Sequence, residues 1–158
     1  MPCVFVTGAA RGIGRATVPR LAAAGWDVVA GVRRAQHGDE LAQEKPGRIS
    51  SLILDLTDEQ QVASLEQALP ARLDAVVNNA GIAVAGPLEA VSPAALRHQL
   101  EVNVVGQAAV TQAVLPRLRE SRGRIVFISS VSGRVATPMF APRPTTRRSS
   151  HSREWPTR

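Results

Sequence analysis

The sequence predicts an α/β fold in which a parallel sheet is doubly wound by helices. Three observations carry that prediction. Short apolar runs alternate with helix-length segments as far as Ile128. These runs are almost continuously apolar, as strands buried on both faces are. A glycine-rich stretch, Thr7-Gly8-Ala9-Ala10-Arg11-Gly12-Ile13-Gly14, joins the first run to the first helix.

Val4-Phe5-Val6 is the first strand, and a helix follows from about Gly12 to Ala24. Gly25 ends that helix, because glycine readily takes the left-handed conformation of a C-terminal cap. Pro19 lies inside it and removes a helical hydrogen bond, a change of ~3 kcal/mol, so a kink or weakened turn is expected. Val28 to Val32 is the second strand, with a short helix near 36–44 after it. Ser51-Leu52-Ile53-Leu54 is the third strand and ends at Asp55. Thr57 or Asp58 can cap the next helix, which runs to about Leu69 before Pro70. Ala75-Val76-Val77, the fourth strand, enters Asn78-Asn79-Ala80-Gly81. Ser92-Pro93 starts a long helix to about Leu118, with proline at its favoured first position. Arg124 to Ile128 is the fifth strand. After Phe140 the pattern stops, and residues 141–158 show no period and no apolar run.

The 158 residues suit one domain with a real core. Aromatics make up only 3%, so that core must be built from Ala, Val, Leu and Ile. A single cysteine, Cys3, cannot form an internal disulfide. With no secretory signal over Met1 to Val6 and no run long enough to span a bilayer, this points to a cytoplasmic protein without a membrane partner. The net charge of +6 is mostly a property of the tail. Residues 1–142 carry 14 Lys and Arg against 12 Asp and Glu, while the last sixteen residues add five arginines against Glu154. The expected organisation is one folded domain over 1–142 and a disordered basic tail over 143–158.

The glycine stretch suits a phosphate cradle. Glycine lets the backbone turn tightly beside a pyrophosphate, and a helix N-terminus offers unpaired N–H groups. Three further features accompany it: Asn78-Asn79-Ala80-Gly81 after the fourth strand, Asp55 after the third, and Ile128-Ser129-Ser130 after the fifth, with Asn103 in the helix before. This combination resembles the short-chain dehydrogenase/reductase family over residues 3 to about 142. The resemblance implies a Rossmann-type sheet with strand order 3-2-1-4-5-6-7, of which this chain supplies five strands. It also implies an NAD(P)-dependent oxidoreductase that exchanges hydride with a small carbonyl or alcohol substrate, usually as a homo-oligomer. Gly8, Gly12 and Gly14 would then carry the pyrophosphate turn, with Ile13 in backbone contact. Asp55 and Leu56 would sit at the adenine, and Asn79, Ala80 and Gly81 would line the adenine ribose side. Asn78 would tie the central strands together. No metal is assigned.

An acidic residue roughly twenty positions past the loop would hold the ribose of NAD, whereas an arginine there accommodates the 2′-phosphate of NADP. The second strand ends Gly31-Val32-Arg33-Arg34, with Val32 where NAD-preferring relatives often carry aspartate. Arg33, with Arg11 in the loop, favours NADP(H), leaving NAD(H) as the alternative.

In the family a tyrosine is the general acid–base and a lysine four residues later lowers its pKa. By position Ser130 would be the substrate-binding serine and Asn103 the asparagine that supports a proton-relay water, with Ser129 and Ser132 second in rank. The tyrosine and lysine fall on Arg143 and Arg147, and the chain contains no tyrosine at all. Arginine holds its proton at neutral pH and cannot substitute. His151 is the only titratable group nearby, and it lies in the tail.

The tail has a coding explanation. Read one step out of frame, codons for Pro144 to Ser149 can spell Tyr, Asn, Ala, Ser and Lys, and those for Ser150 to Trp155 permit Phe, Ala, Leu, Glu, Gly and Met. The shifted frame thus holds a Tyr-x-x-x-Lys motif close to its expected place, implying a frameshift between Phe140 and Pro144. Coding DNA that does not spell tyrosine and lysine there excludes it. The leading expectation is a family member that binds dinucleotide but is catalytically dead. The alternative is a non-catalytic NADP-binding or interaction module. Nucleic-acid binding through the tail arginines ranks last, because no aromatic residues are interleaved with them.

Overall fold

The computed structural model describes residues 1–130. The tail expected over 143–158, Ser132 and the positions Arg143, Arg147 and His151 lie outside them. Five parallel strands, β1 (Cys3–Val6), β2 (Asp27–Val32), β3 (Ile49–Ile53), β4 (Ala75–Asn78) and β5 (Arg124–Phe127), form one sheet in the order β3-β2-β1-β4-β5. The helices are α1 (Gly12–Ala23), α2 (Ala35–Glu44), α3 (Glu59–Ala68), α4 (Pro93–Leu100) and α5 (Gln107–Ser121). This is the doubly wound parallel sheet that the alternating pattern implies and the incomplete Rossmann-type sheet that the family resemblance implies.

The apolar strands follow from burial on both faces. In β1, Cys3 and Phe5 pack with Leu65, Val110 and Val114 from α3 and α5. Val4 and Val6 point the other way, against Val18 of α1 and Leu41 of α2. Successive side chains of a strand face opposite sides, so a strand with helices on both sides has no position for a polar residue. The Cys3 thiol is pushed up by burial and by nearby Asp27 and Asp74, and it packs as a small apolar group.

Most boundaries lie within a residue or two of expectation, and the exceptions have physical causes. The third strand covers 49–53, because the parallel register with β2 runs from Val28 opposite Ile49 to Val32 opposite Ile53. Exposed Ser50, beside Ile49, hides the start of the strand from a hydropathy reading; an edge strand tolerates exposed polar residues. Helix α1 continues through Pro19. Gly25, at φ +90°, closes it with bonds from Gly25 N–H to the Ala22 carbonyl and Trp26 N–H to the Leu21 carbonyl. Asp58, not Thr57, caps α3 by accepting from the N–H groups of Gln60 and Gln61. The expected helix from Ser92 is interrupted by a π-helical stretch, Glu101–Gly106, between α4 and α5. Gly106 belongs there because a Cβ would lie 2.7 Å from Leu56 Cβ.

Asp74 gathers the starts of three strands. Its carboxylate accepts from Cys3 N–H at 2.9 Å and from Arg72, and its backbone carbonyl accepts from Arg124 N–H at 2.9 Å. The Arg72 guanidinium first, and the Cys3 N–H second, hold the Asp74 carboxyl below its ordinary range. A depressed folded-state pKa gives stability that is present above the unfolded pKa, near 4, and is lost as the pH falls through the lower folded value. Asp74→Asn is therefore expected to flatten the acid limb of the stability curve below about pH 5. Urea titrations across pH 3–7 measure this, and an unchanged acid limb contradicts it.

Among the described residues the β5 edge is apolar and unpaired, with Ile125, Val126 and Phe127 between 40% and 55% exposed. Among the described residues, no helix is long and apolar enough to cross a membrane.

Candidate dinucleotide site

The C-terminal strand ends open into a cavity of about 440 Å³. It lies where the chain reverses between β1 and β4, the position at which open α/β sheets bind ligands. Its floor is the glycine loop: Gly8, Ala10, Arg11, Gly12 and Ile13. Gly31 and Val32 of β2, Arg33 just after it, and Leu54, Asp55 and Leu56 after β3 form one side. Asn79 to Ile82, with Ile128 and Ser129, form the other, and His98 and Val102 close it from α4 and the π-stretch.

Two of the loop glycines need left-handed backbone, Gly8 at φ +63° and Gly12 at φ +58°. Gly8 also touches the next loop, since a Cβ there would lie 2.7 Å from Ala80 Cα. A Cβ on Gly12 would meet nothing within 4 Å, so its backbone faces open space at the start of α1. Gly14 does not line the cavity. It is buried, and a Cβ would stand 2.4 Å from Asn79 Nδ2 and 2.6 Å from the Gly8 carbonyl.

Thr7 locks the two loops together. Its buried hydroxyl accepts from the N–H groups of Asn79 and Ala80, both at 3.0 Å. Asn79 answers by donating Nδ2 to the carbonyls of Thr7 (3.0 Å) and Gly8 (3.1 Å). The expected tie between central strands through Asn78 is thus made by its neighbour. Asn78 Nδ2 donates to Thr111 Oγ1 at 2.9 Å, fastening β4 to α5. The side chains of consecutive strand-end residues leave on opposite sides, so one asparagine meets the helix and the other the glycine loop. Buried Asn78 Oδ1 has no hydrogen-bond partner among the described residues.

Arg33 and His98 lie close enough to Asp55 to act on its charge, and Arg11 lines the same cavity. The Asp55 carboxyl is held below its ordinary range, chiefly by the Thr57 N–H and hydroxyl, with Arg33 and His98 adding attraction. Asp55 Oδ1 accepts from both Thr57 groups, at 3.0 and 2.8 Å.

Of the residues singled out in the sequence, Gly8, Arg11, Gly12, Ile13, Arg33, Asp55, Leu56, Asn79, Ala80 and Gly81 line one cavity. Asn103 stands behind the wall: its Nδ2 donates to the Ile82 carbonyl at 2.8 Å and its Oδ1 accepts from Ile82 N–H at 2.9 Å. Ser130 is exposed and outside the cavity lining, next to Ser129, which is inside it. Thr7, His98 and Val102 were missed. The four-residue spacing of His98 and Val102 puts them on one helix face, a legible signal, whereas the Thr7 hydroxyl could be placed only by the β1–β4 pairing. Among the described residues, no group of His, Cys, Asp and Glu could hold a metal ion.

Residues 2–146 match the family model described as short chain dehydrogenase. The chain is 41% identical over 140 residues to a 3-amino-tetrahydro-pyrrolizinone reductase of Xenorhabdus hominickii, covering 85% of this chain and 48% of that protein. It is 36% identical over 139 residues to mouse retinol dehydrogenase 5, covering 84% and 44%. It thus spans about half the length of the curated relatives it matches. A short-chain dehydrogenase structure from Streptomyces avermitilis superposes with a TM-score of 0.80 at 36% identity, covering 85% of this chain and 51% of that one. An alcohol dehydrogenase from the archaeon Thermococcus sibiricus, complexed with 5-hydroxy-NADP, gives a TM-score of 0.80 at 29% identity, covering 88% and 62%. On the family match, the identity to curated relatives and the superposition on solved structures, this chain belongs to the short-chain dehydrogenase family of oxidoreductases.

Proposed function

We propose that this chain binds NADP(H) in the cavity and, with Arg143 where the family carries its tyrosine, does not turn it over. The observation that carries the binding half is the open backbone of Gly12 at the α1 N-terminus, where unpaired N–H groups suit a pyrophosphate. Gly8, Ile13 and Gly14 shape that turn, Asp55 and Leu56 take the adenine end, and Asn79, Ala80 and Gly81 take the ribose side. Arg33 and Arg11 take the 2′-phosphate, with Val32 in place of a carboxylate that would repel it. In a relative that keeps the tyrosine, a nicotinamide held there would exchange hydride with a small carbonyl or alcohol compound.

For the chemical half, Ser130 is assigned to the substrate oxygen and Asn103 to the support of the site. The general acid is what the chain lacks: it has no tyrosine, and Arg143 stands in the family position. A frameshift past Phe140 accounts for that loss, and sequencing the coding DNA over codons 138–158 tests it. Two outcomes test the reading itself. NADPH titration of the purified chain should saturate, and turnover of any carbonyl substrate would overturn the silent-site half. Arg33→Ala should weaken NADPH binding by about tenfold or more and leave NADH binding nearly unchanged, because one charge-assisted bond to a phosphate is worth roughly 1.5–3 kcal/mol. Equal weakening of both cofactors contradicts the assignment of Arg33.

A further inference from the structure

The wall of the cavity is held by side chains from one helix face. After β4 the chain runs on through residues 80–84 without joining a strand. Three amides meet alternate residues of this segment. Gln107 Nε2 donates to the Ala80 carbonyl at 2.6 Å, Asn103 binds both backbone groups of Ile82, and Gln99 Oε1 accepts from Val84 N–H at 2.5 Å. The backbone partner dictates which end of each glutamine is used: a carbonyl needs a donor, and an N–H needs an acceptor.

The spacing works because two periods nearly agree. Four helical residues rise about 6 Å, and two extended residues advance about 6.6 Å. In a regular α-helix, residues four apart drift by about 40° around the axis at each step. The π-stretch Glu101–Gly106, with more residues per turn, reduces that drift where Asn103 sits. Ala80, Gly81 and Ile82 of the held segment line the cavity.

We propose that Gln99 and Gln107 are positioning residues that, with Asn103, fix segment 80–84 as a preformed wall and thereby set dinucleotide affinity. This rests on the reading of the cavity as a dinucleotide site. The two glutamines touch the wall's backbone and do not line the cavity.

The test uses the full chain, with NADPH titration and hydrogen exchange of the Val84 amide measured side by side. Gln99→Met and Gln107→Met should each raise the NADPH dissociation constant about fivefold, and Gln99→Met should speed Val84 exchange about tenfold. Gln99→Glu keeps an acceptor and should restore both to near wild-type values, whereas Gln99→Lys, a donor only, should restore neither. A merely structural role for Gln99 would not separate Glu from Lys. Equal behaviour of those two variants, or wild-type affinity and exchange in both Met variants, overturns the proposal. If the wild type binds no NADPH, the dinucleotide reading fails, and the Glu-against-Lys difference in Val84 exchange still decides whether the amides hold the wall.

Discussion

Thr7→Val should destabilise the fold by roughly 2–5 kcal/mol although it changes the side chain's shape hardly at all. The hydroxyl is fully buried and accepts from two backbone N–H groups, those of Asn79 and Ala80. A methyl group in its place takes this partner from both part-buried donors, at about 1–3 kcal/mol each. A domain of this size is held by only about 5–15 kcal/mol, so the loss is a large fraction of the total. Urea denaturation at pH 7 measures it. Thr7→Ser, which keeps the acceptor, should lose no more than about 1 kcal/mol, roughly the value of one methyl. Equal destabilisation by Val and Ser would show that packing, not hydrogen bonding, is what Thr7 contributes. Because Asn79 and Ala80 line the cavity, Thr7→Val should also weaken NADPH binding.

Gly8→Ala carries the second large effect, and Gly12→Ala is its internal control. Both glycines have left-handed backbone, which disfavours any side chain by about 1–2 kcal/mol. Only at Gly8 would the new methyl also strike backbone, at 2.7 Å from Ala80 Cα, whereas at Gly12 it meets open space. Forcing an extra methyl into a packed contact adds roughly 1–3 kcal/mol. Gly8→Ala is therefore expected to cost about 2–4 kcal/mol and Gly12→Ala about half as much, read from the same denaturation curves. If Gly12→Ala is the more damaging to stability, the contact between the two loops is not what constrains Gly8. For NADPH affinity the order can reverse, because the Gly12 methyl would project where a pyrophosphate must approach.

The fold was legible because burial on both faces leaves a simple mark. A strand such as Val28 to Val32, covered by helices on each side, has to be apolar throughout, and that run is visible without coordinates. The edge strand was the weak point. With Ser50 and Ser51 both exposed, on opposite faces of the strand, β3 shows too little apolar signal for its start to be found, and the register with β2 locates it. The π-stretch was illegible for a different reason. Nothing in Glu101-Val102-Asn103-Val104-Val105-Gly106 breaks a helical pattern. The stretch coincides with the pair of hydrogen bonds between Asn103 and Ile82 and with the contact of Gly106 on Leu56, both long-range.

Much of the cavity lining was legible too, since glycine spacing, strand-end residues and the two arginines all lie in recognisable local contexts. What the sequence by itself determined is the sequence-local part: an α/β alternation, a glycine turn before a helix, and a chain of 158 residues without a tyrosine. Only the tertiary structure decided which of Asn78 and Asn79 faces the glycine loop, that the Thr7 hydroxyl locks that loop to its neighbour, and that three amides on one helix carry the cavity wall. These are contacts between segments from about 15 to more than 70 residues apart. Their partners are backbone N–H and carbonyl groups, which every residue other than proline carries alike. Side-chain identity therefore announces that a polar group is present, and only the packing of strand on strand says which backbone group it meets.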